Sequence, residues 1–116
     1  MINQSLLTKG SVIFADLGEI TGENHLQKGK RPCIVVTNIK GSNKLTVIPV
    51  TSRIKRTQYF NHVVIEQGEG GLNKESMALL EDITTIANNQ IIDLIGIISE
   101  KTANNINVAL RQLIAV

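Results

Sequence analysis

Arg31 and the hydroxyl pair Thr51-Ser52 are the residues whose types best suit chemistry on a charged substrate. A guanidinium presents a rigid fork of donors matched to phosphate oxygens. Hydroxyls add a hydrogen bond to a phosphoryl oxygen or to an attacking group. Two basic clusters surround them: Lys28, Lys30 and Arg31 in one, Arg53, Lys55 and Arg56 in the other. A phosphodiester fits this set better than a carbonyl or a sugar. Basic clusters ordinarily mean a solvated surface, so the question is whether folding brings the two together.

For phosphodiester cleavage without a metal, RNA is the tractable substrate, because its 2′-hydroxyl can attack the adjacent phosphorus. A protein must then accept that proton, stabilise a more negative transition state and protonate the departing 5′-oxygen. Arg31 suits the second task, and the Thr51 hydroxyl suits orientation of the phosphate. Arginine stays protonated in proteins, so Glu23, His25, Glu81 or Asp82 is the more conventional base. Each residue also has a plain reading. An arginine before proline marks a strand entrance, His25 and His62 fit a loop and an edge strand, and Glu81-Asp82 fits an ion pair with a nearby Lys or Arg. Cys/His metal spacing, a phosphate-binding Gly-rich loop and a serine elbow are all missing from the sequence. No metal or cofactor is expected.

The elements that would position these groups are mostly strands. Residues 11–16 read as a first strand, and the polar stretch 17–31 as a long loop of the kind that tends to be functional. Residues 32–38 and 44–53 are β-branched runs around Ile39-Lys40-Gly41-Ser42-Asn43, which predicts a hairpin. Both carry successive apolar residues, as mid-sheet strands with two covered faces do. Pro49 predicts a bulge or strand end. With the turn near Gly41-Ser42, paired residue numbers sum to about 83, so Arg31 faces Ser52 with Thr51 one step away. The two basic clusters then meet at the open end of the hairpin. Further strands are expected at 62–66, 76–86 and 94–98, with a helical turn at Asn88-Asn89-Gln90. Ser99 reads as a helix N-cap with Glu100 in the first turn. Ala103, Ile106, Leu110 and Leu113 then share one helix face. The fold class expected is mainly β with a C-terminal α-helix: a small, strongly bent antiparallel sheet or half-open barrel of about six strands.

Composition agrees with one domain over residues 1–116. A chain of this length buries roughly two-thirds of its unfolded surface, and 42% of its residues are apolar. The net charge of +2 is too mild to prove a nucleic-acid partner. Aromatic residues are only 3% and Trp is absent, which argues against recognition by stacked aromatic platforms. The single Cys33 excludes an intramolecular disulfide and reads as a buried, inert thiol. No apolar run approaches the roughly 18 residues of a membrane helix, and there is no signal-peptide core. A reduced cytoplasmic protein is the expectation.

Taken together, four segments resemble the MazF/PemK toxins of bacterial toxin–antitoxin pairs. They are Gly10-Ser11-Val12-Ile13-Phe14-Ala15-Asp16-Leu17, Gly29-Lys30-Arg31-Pro32-Cys33-Ile34-Val35-Val36, Val47-Ile48-Pro49-Val50-Thr51-Ser52-Arg53-Ile54, and the run from Ser76 through Glu81-Asp82 to Ile86. With the C-terminal helix the likeness spans about residues 8–114. It implies a sequence-specific, metal-independent endoribonuclease that cleaves single-stranded mRNA, acting as a homodimer with RNA in a groove spanning both protomers. It also implies an antitoxin whose acidic, flexible segment fills that groove. The family's catalytic arginine and threonine map to Arg31 and Thr51, with Ser52 and Arg53 flanking. Glu23, His25, Lys28, Lys30, Glu81 and Asp82 are the remaining residues expected to bind RNA or support the site. Two departures stand out. The stretch before the Arg-Pro motif is longer than the family's, and Thr84-Thr85 replaces its Arg-Thr. The competing class is a CcdB-like toxin, which shares the fold and poisons DNA gyrase without cutting anything. A degenerate domain that only binds RNA or an antitoxin is the third reading.

Overall fold

Alternation of apolar side chains along the strands builds two cores, one on each side of a single curved sheet. The computed structural model describes residues 3–19, 28–39, 41–53 and 59–116. Among these, seven strands pair antiparallel: β1 (Ser11–Asp16), β2 (Lys30–Asn38), β3 (Lys44–Thr51), β4 (His62–Ile65), β5 (Ser76–Leu79), β6 (Thr84–Ala87) and β7 (Ile91–Ile97). The order across the sheet is β4-β5-β3-β2-β1-β7, with β6 also on β3. The sheet is open, and the strong bend expected from the sequence has identifiable causes. β7 carries two register shifts against β1, and bulges of this kind kink and twist the strand that holds them.

One core lies under the C-terminal helix α1 (Glu100–Ile114) and joins Val12, Ile34, Ile48, Val50, Val63, Ile65 and Leu80 to Ile106 and Ala109. Opposite, Ile13, Ala15, Cys33, Val35, Leu45 and Val47 pack with Leu7, Leu17, Ile86 and Ile91. Helix α1 starts where expected, with the Ser99 side chain accepting from the Thr102 backbone N–H. Ala103, Leu110 and Leu113 are partly buried beside Ile106, as their spacing predicts.

The hairpin of β2 and β3 forms, with a correction to its register. Cys33 faces Pro49, Ile34 faces Ile48 and Val35 faces Val47, whereas Thr37 faces Thr46. Val36 is the extra residue of a bulge, so the pairing near the turn sums to 83 and the pairing beyond it to 82. Continued to the open end, the register sets Arg31 against Thr51 rather than Ser52. Pro49 is neither bulge nor strand end. β3 runs through it fully buried and instead changes its outer neighbour there. Residues Lys44–Val47 pair with β6, and Val50–Thr51 pair with β5. The expected single strand over 76–86 is therefore two, separated by one 3₁₀ turn at Leu80–Asp82. The turn at Asn88–Gln90 is present as expected.

Candidate functional site

Strand parity decides which side chains meet. Cys33, Val35 and Val47 face the core away from α1, so Arg31, two residues before Cys33, and Thr51, four residues after Val47, project from that same face. Both are half-buried. Arg31 also pairs with Ala15 of β1. Its Nε donates to the Lys28 backbone oxygen at 2.8 Å, which fixes the guanidinium beside the mouth of the β1–β2 connection. That connection is extended as a stem: Leu17 N donates to Gly29 O at 2.9 Å and Gly29 N to Gly18 O at 2.8 Å. Gly29 has φ 77°, a conformation that glycine adopts without penalty.

Thr51 closes β3. Its hydroxyl oxygen accepts the Arg53 backbone N–H at 3.1 Å, a local turn that directs the hydroxyl. The hydroxyl's own proton is not used in that bond and suits donation to an anionic oxygen. Ser52 and Arg53 follow, both exposed.

A cavity of about 270 Å³ is lined by Lys28, Glu81, Asp82, Thr84, Thr85 and Gln90 over Leu17 and Ile86. Leu17 and Ile86 belong to the core on the Arg31 side, so the cavity opens on the face that carries Arg31 and Thr51. Glu81 accepts a hydrogen bond from His62, Nε2 to Oε2 2.7 Å, which is an ion pair whenever the imidazole is protonated. Glu81 thus has a histidine partner across the β4–β5 pairing. Gln90 ties the rim together, accepting from Ala87 N at 2.7 Å and donating to Asp16 O at 2.9 Å.

The expected residues divide accordingly. Arg31, Thr51, Lys28, Glu81 and Asp82 share one face, and Ser52 and Arg53 follow Thr51 beyond the strand, both exposed. Lys30 is paired with Asp16 and is exposed. Strand alternation sends its side chain to the opposite face, so Lys30 does not join Arg31. Glu23 and His25 lie outside the described residues, as do Lys55 and Arg56. His62 and Gln90 were missed as site residues. For Gln90 no sequence signal exists, because its bond to Asp16 spans 74 residues. Cys33 lies beneath Arg31, fully buried, and its thiol is pushed up to about 12 by burial, with the Arg31 charge pulling the other way.

The sequence model of the PemK-like, MazF-like toxins of type II toxin–antitoxin systems matches residues 8–114. The chain belongs to this family. Among curated relatives, the endoribonuclease MazF of Staphylococcus saprophyticus is 32% identical over 108 residues, covering 90% of this chain and 88% of that protein. The endoribonuclease EndoA of Bacillus subtilis is 30% identical over 113 residues, covering 95% and 96%. In three dimensions this PemK/MazF-type chain is similar to a mycobacterial endoribonuclease in complex with its cognate antitoxin, with a TM-score of 0.74, 21% identity, and 93% and 94% of the two chains covered. MazF of Deinococcus radiodurans gives a TM-score of 0.74 at 18% identity, covering 92% and 94%.

Proposed function

We propose that this chain is the endoribonuclease toxin of a toxin–antitoxin pair, cutting single-stranded mRNA at Arg31 and Thr51 by attack of the RNA's own 2′-hydroxyl. The observation that carries the reading is the hairpin register, Cys33 opposite Pro49, which continued by two residues brings Arg31 opposite Thr51, in a chain of the MazF/PemK family. Arg31 stabilises the charge gathering on the phosphorane oxygens, as preorganised donors do. Thr51 donates to a phosphoryl oxygen. Glu81 and Asp82 line the cavity beside Lys28, whose carbonyl holds Arg31, and either serves as acceptor of the 2′-proton. The departing 5′-oxygen takes a proton from water, the products are a 2′,3′-cyclic phosphate and a free 5′-hydroxyl, and no step calls for a metal.

The partner is an antitoxin whose acidic, flexible segment competes with RNA for the same basic face. The working form is a homodimer. Ile92, Leu94 and Ile97 stand exposed on the edge strand β7, which supports coverage by a second copy.

The deciding experiment is cleavage of single-stranded RNA in excess EDTA, with the 3′ ends of the products identified and an all-deoxyribose strand as control. Cyclic-phosphate ends from the RNA alone are expected. RNA left intact across varied sequences would overturn the reading, and gyrase inhibition would then be the activity to assay.

A further inference from the structure

The chain has three aromatic side chains, one Tyr and two Phe, and two of them are sequence neighbours left open to solvent. Tyr59 is 57% exposed and Phe60 58%. Neither belongs to a core cluster of the described residues.

Their setting is built rather than loose. His62 N donates to Tyr59 O at 3.1 Å, and Leu80 N donates to Asn61 O at 3.1 Å, which fastens the turn to the end of β5. The Tyr59 ring meets the His62 ring edge to face, centroids 5.3 Å apart and planes at 87°. His62 in turn holds Glu81 at 2.7 Å, and its Nδ1 is buried with no hydrogen-bond partner among the described residues. Glu81 lines the cavity together with Lys28, whose carbonyl holds Arg31. Two contacts, Tyr59 to His62 and His62 to Glu81, thus lead to the wall of the cavity whose other side holds Lys28, next to Arg31. By register, His62 faces Leu79, two residues along β5 from Met77, the partner of Thr51. Two strand spacings and two residues of rise put Thr51 and His62 roughly 12 Å apart. A strand with its phosphate at Arg31 and Thr51 reaches the aromatic pair with a flanking nucleotide.

We propose that Tyr59 and Phe60 form a stacking platform for a nucleobase flanking the cut phosphate; the proposal rests on the RNA substrate argued above. Every base has a π face, so such a platform grips RNA without regard to sequence. The anchored turn and the His62 ring hold Tyr59 in place beforehand, which lowers the entropy lost on binding. The exposed Arg53, just past Thr51, adds attraction for the phosphates on either side. Low aromatic content argues against a broad aromatic sheet surface, yet one nucleobase needs only one well-placed pair.

The chain contains no Trp, so Tyr59→Trp and Phe60→Trp each install a single indole in the full-length protein. The probe is a single-stranded RNA that the wild type cuts, made uncleavable by deoxyribose at the cut nucleotide. Quenching of at least one indole on titration is expected. Tyr59→Ala and Phe60→Ala should each bind roughly 10-fold to 100-fold more weakly, with the loss in KM more than in kcat. Tyr59→Phe should hold affinity, and Tyr59→Leu should not. Wild-type cleavage and binding with unquenched indoles and undiminished Ala variants would overturn the platform while sparing the nuclease. Quenching that follows protein concentration without RNA would overturn it too, marking a contact between copies. Failure of the wild type to bind or cut any RNA would remove both readings together.

Discussion

Arg31 reaches its own loop. Its Nε donates to the Lys28 backbone oxygen at 2.8 Å, so the guanidinium is aimed before any substrate arrives. Preorganised donors lose little on binding and act mainly on the transition state. Arg31→Ala should therefore lose about 3–4 kcal/mol of transition-state stabilisation and still fold. Arg31→Lys should recover part of it, since it keeps the charge and loses the fork. Single-turnover RNA cleavage, with thermal unfolding as the control, checks both. A well-folded Arg31→Ala protein cutting at the normal rate would end the assignment.

Thr51 tests the hydroxyl. Thr51→Val keeps the shape and removes both the acceptor for Arg53 N and the outward donor. The site is at a strand end next to solvent, so stability should change by no more than about 1 kcal/mol, while cleavage falls at least about 10-fold. Thr51→Ser should stay close to wild type. Equal rates for the Val and Ser variants would show that the hydroxyl has no part in the reaction.

Cys33 sets an alkaline limit. Its thiol is raised from 9.0 to about 12 in the folded chain. As pH climbs past 9 the unfolded chain releases this proton while the folded chain keeps it. The unfolded state then binds fewer protons, so stability falls with pH. The contribution is fully present below pH 9 and is gone by about 12. Melting temperatures measured across that window should decline less steeply for Cys33→Ala than for wild type. The native thiol should also resist alkylation at pH 8 until denaturant is added, and prompt labelling of the folded protein would contradict its burial.

Gly96 in β7 lies against the Gly70-Gly71 turn. A Cβ there would meet the Gly70 carbonyl carbon and oxygen at 2.7 Å, and backbone cannot swing aside as a side chain can. Gly96→Ala should destabilise by about 1–3 kcal/mol, read as a lower urea midpoint with an unchanged slope.

Much of this architecture was legible in residue order, and the exceptions have local causes. The β2–β3 hairpin was readable because β-branched runs flank Gly41-Ser42, yet its register moved by one. Nothing in Val35-Val36-Thr37 announces that Val36 is the bulged residue, since three β-branched residues suit a strand in either register. The break at Leu80–Asp82 was hidden by apolar residues on both sides. Glu81-Asp82, the polar pair inside that run, was its only trace. Arg31 and Thr51 could be brought within one step of each other from the hairpin alone. His62 with Glu81 could not, because their contact needs β4 paired to β5 across a long connection.

β3 carries Thr51 and has neighbours along both edges: β2 on one side, β6 and then β5 on the other. Strands held in this way open only with the whole molecule, so β3 amides should be among the slowest to exchange with deuterated water. The strand that bears the candidate site is then also among the last parts of the chain to loosen. Partial opening of an edge strand would leave its geometry standing. A cell that needs such a site silent gains nothing by fraying the protein, and must either cover the face or degrade the chain outright.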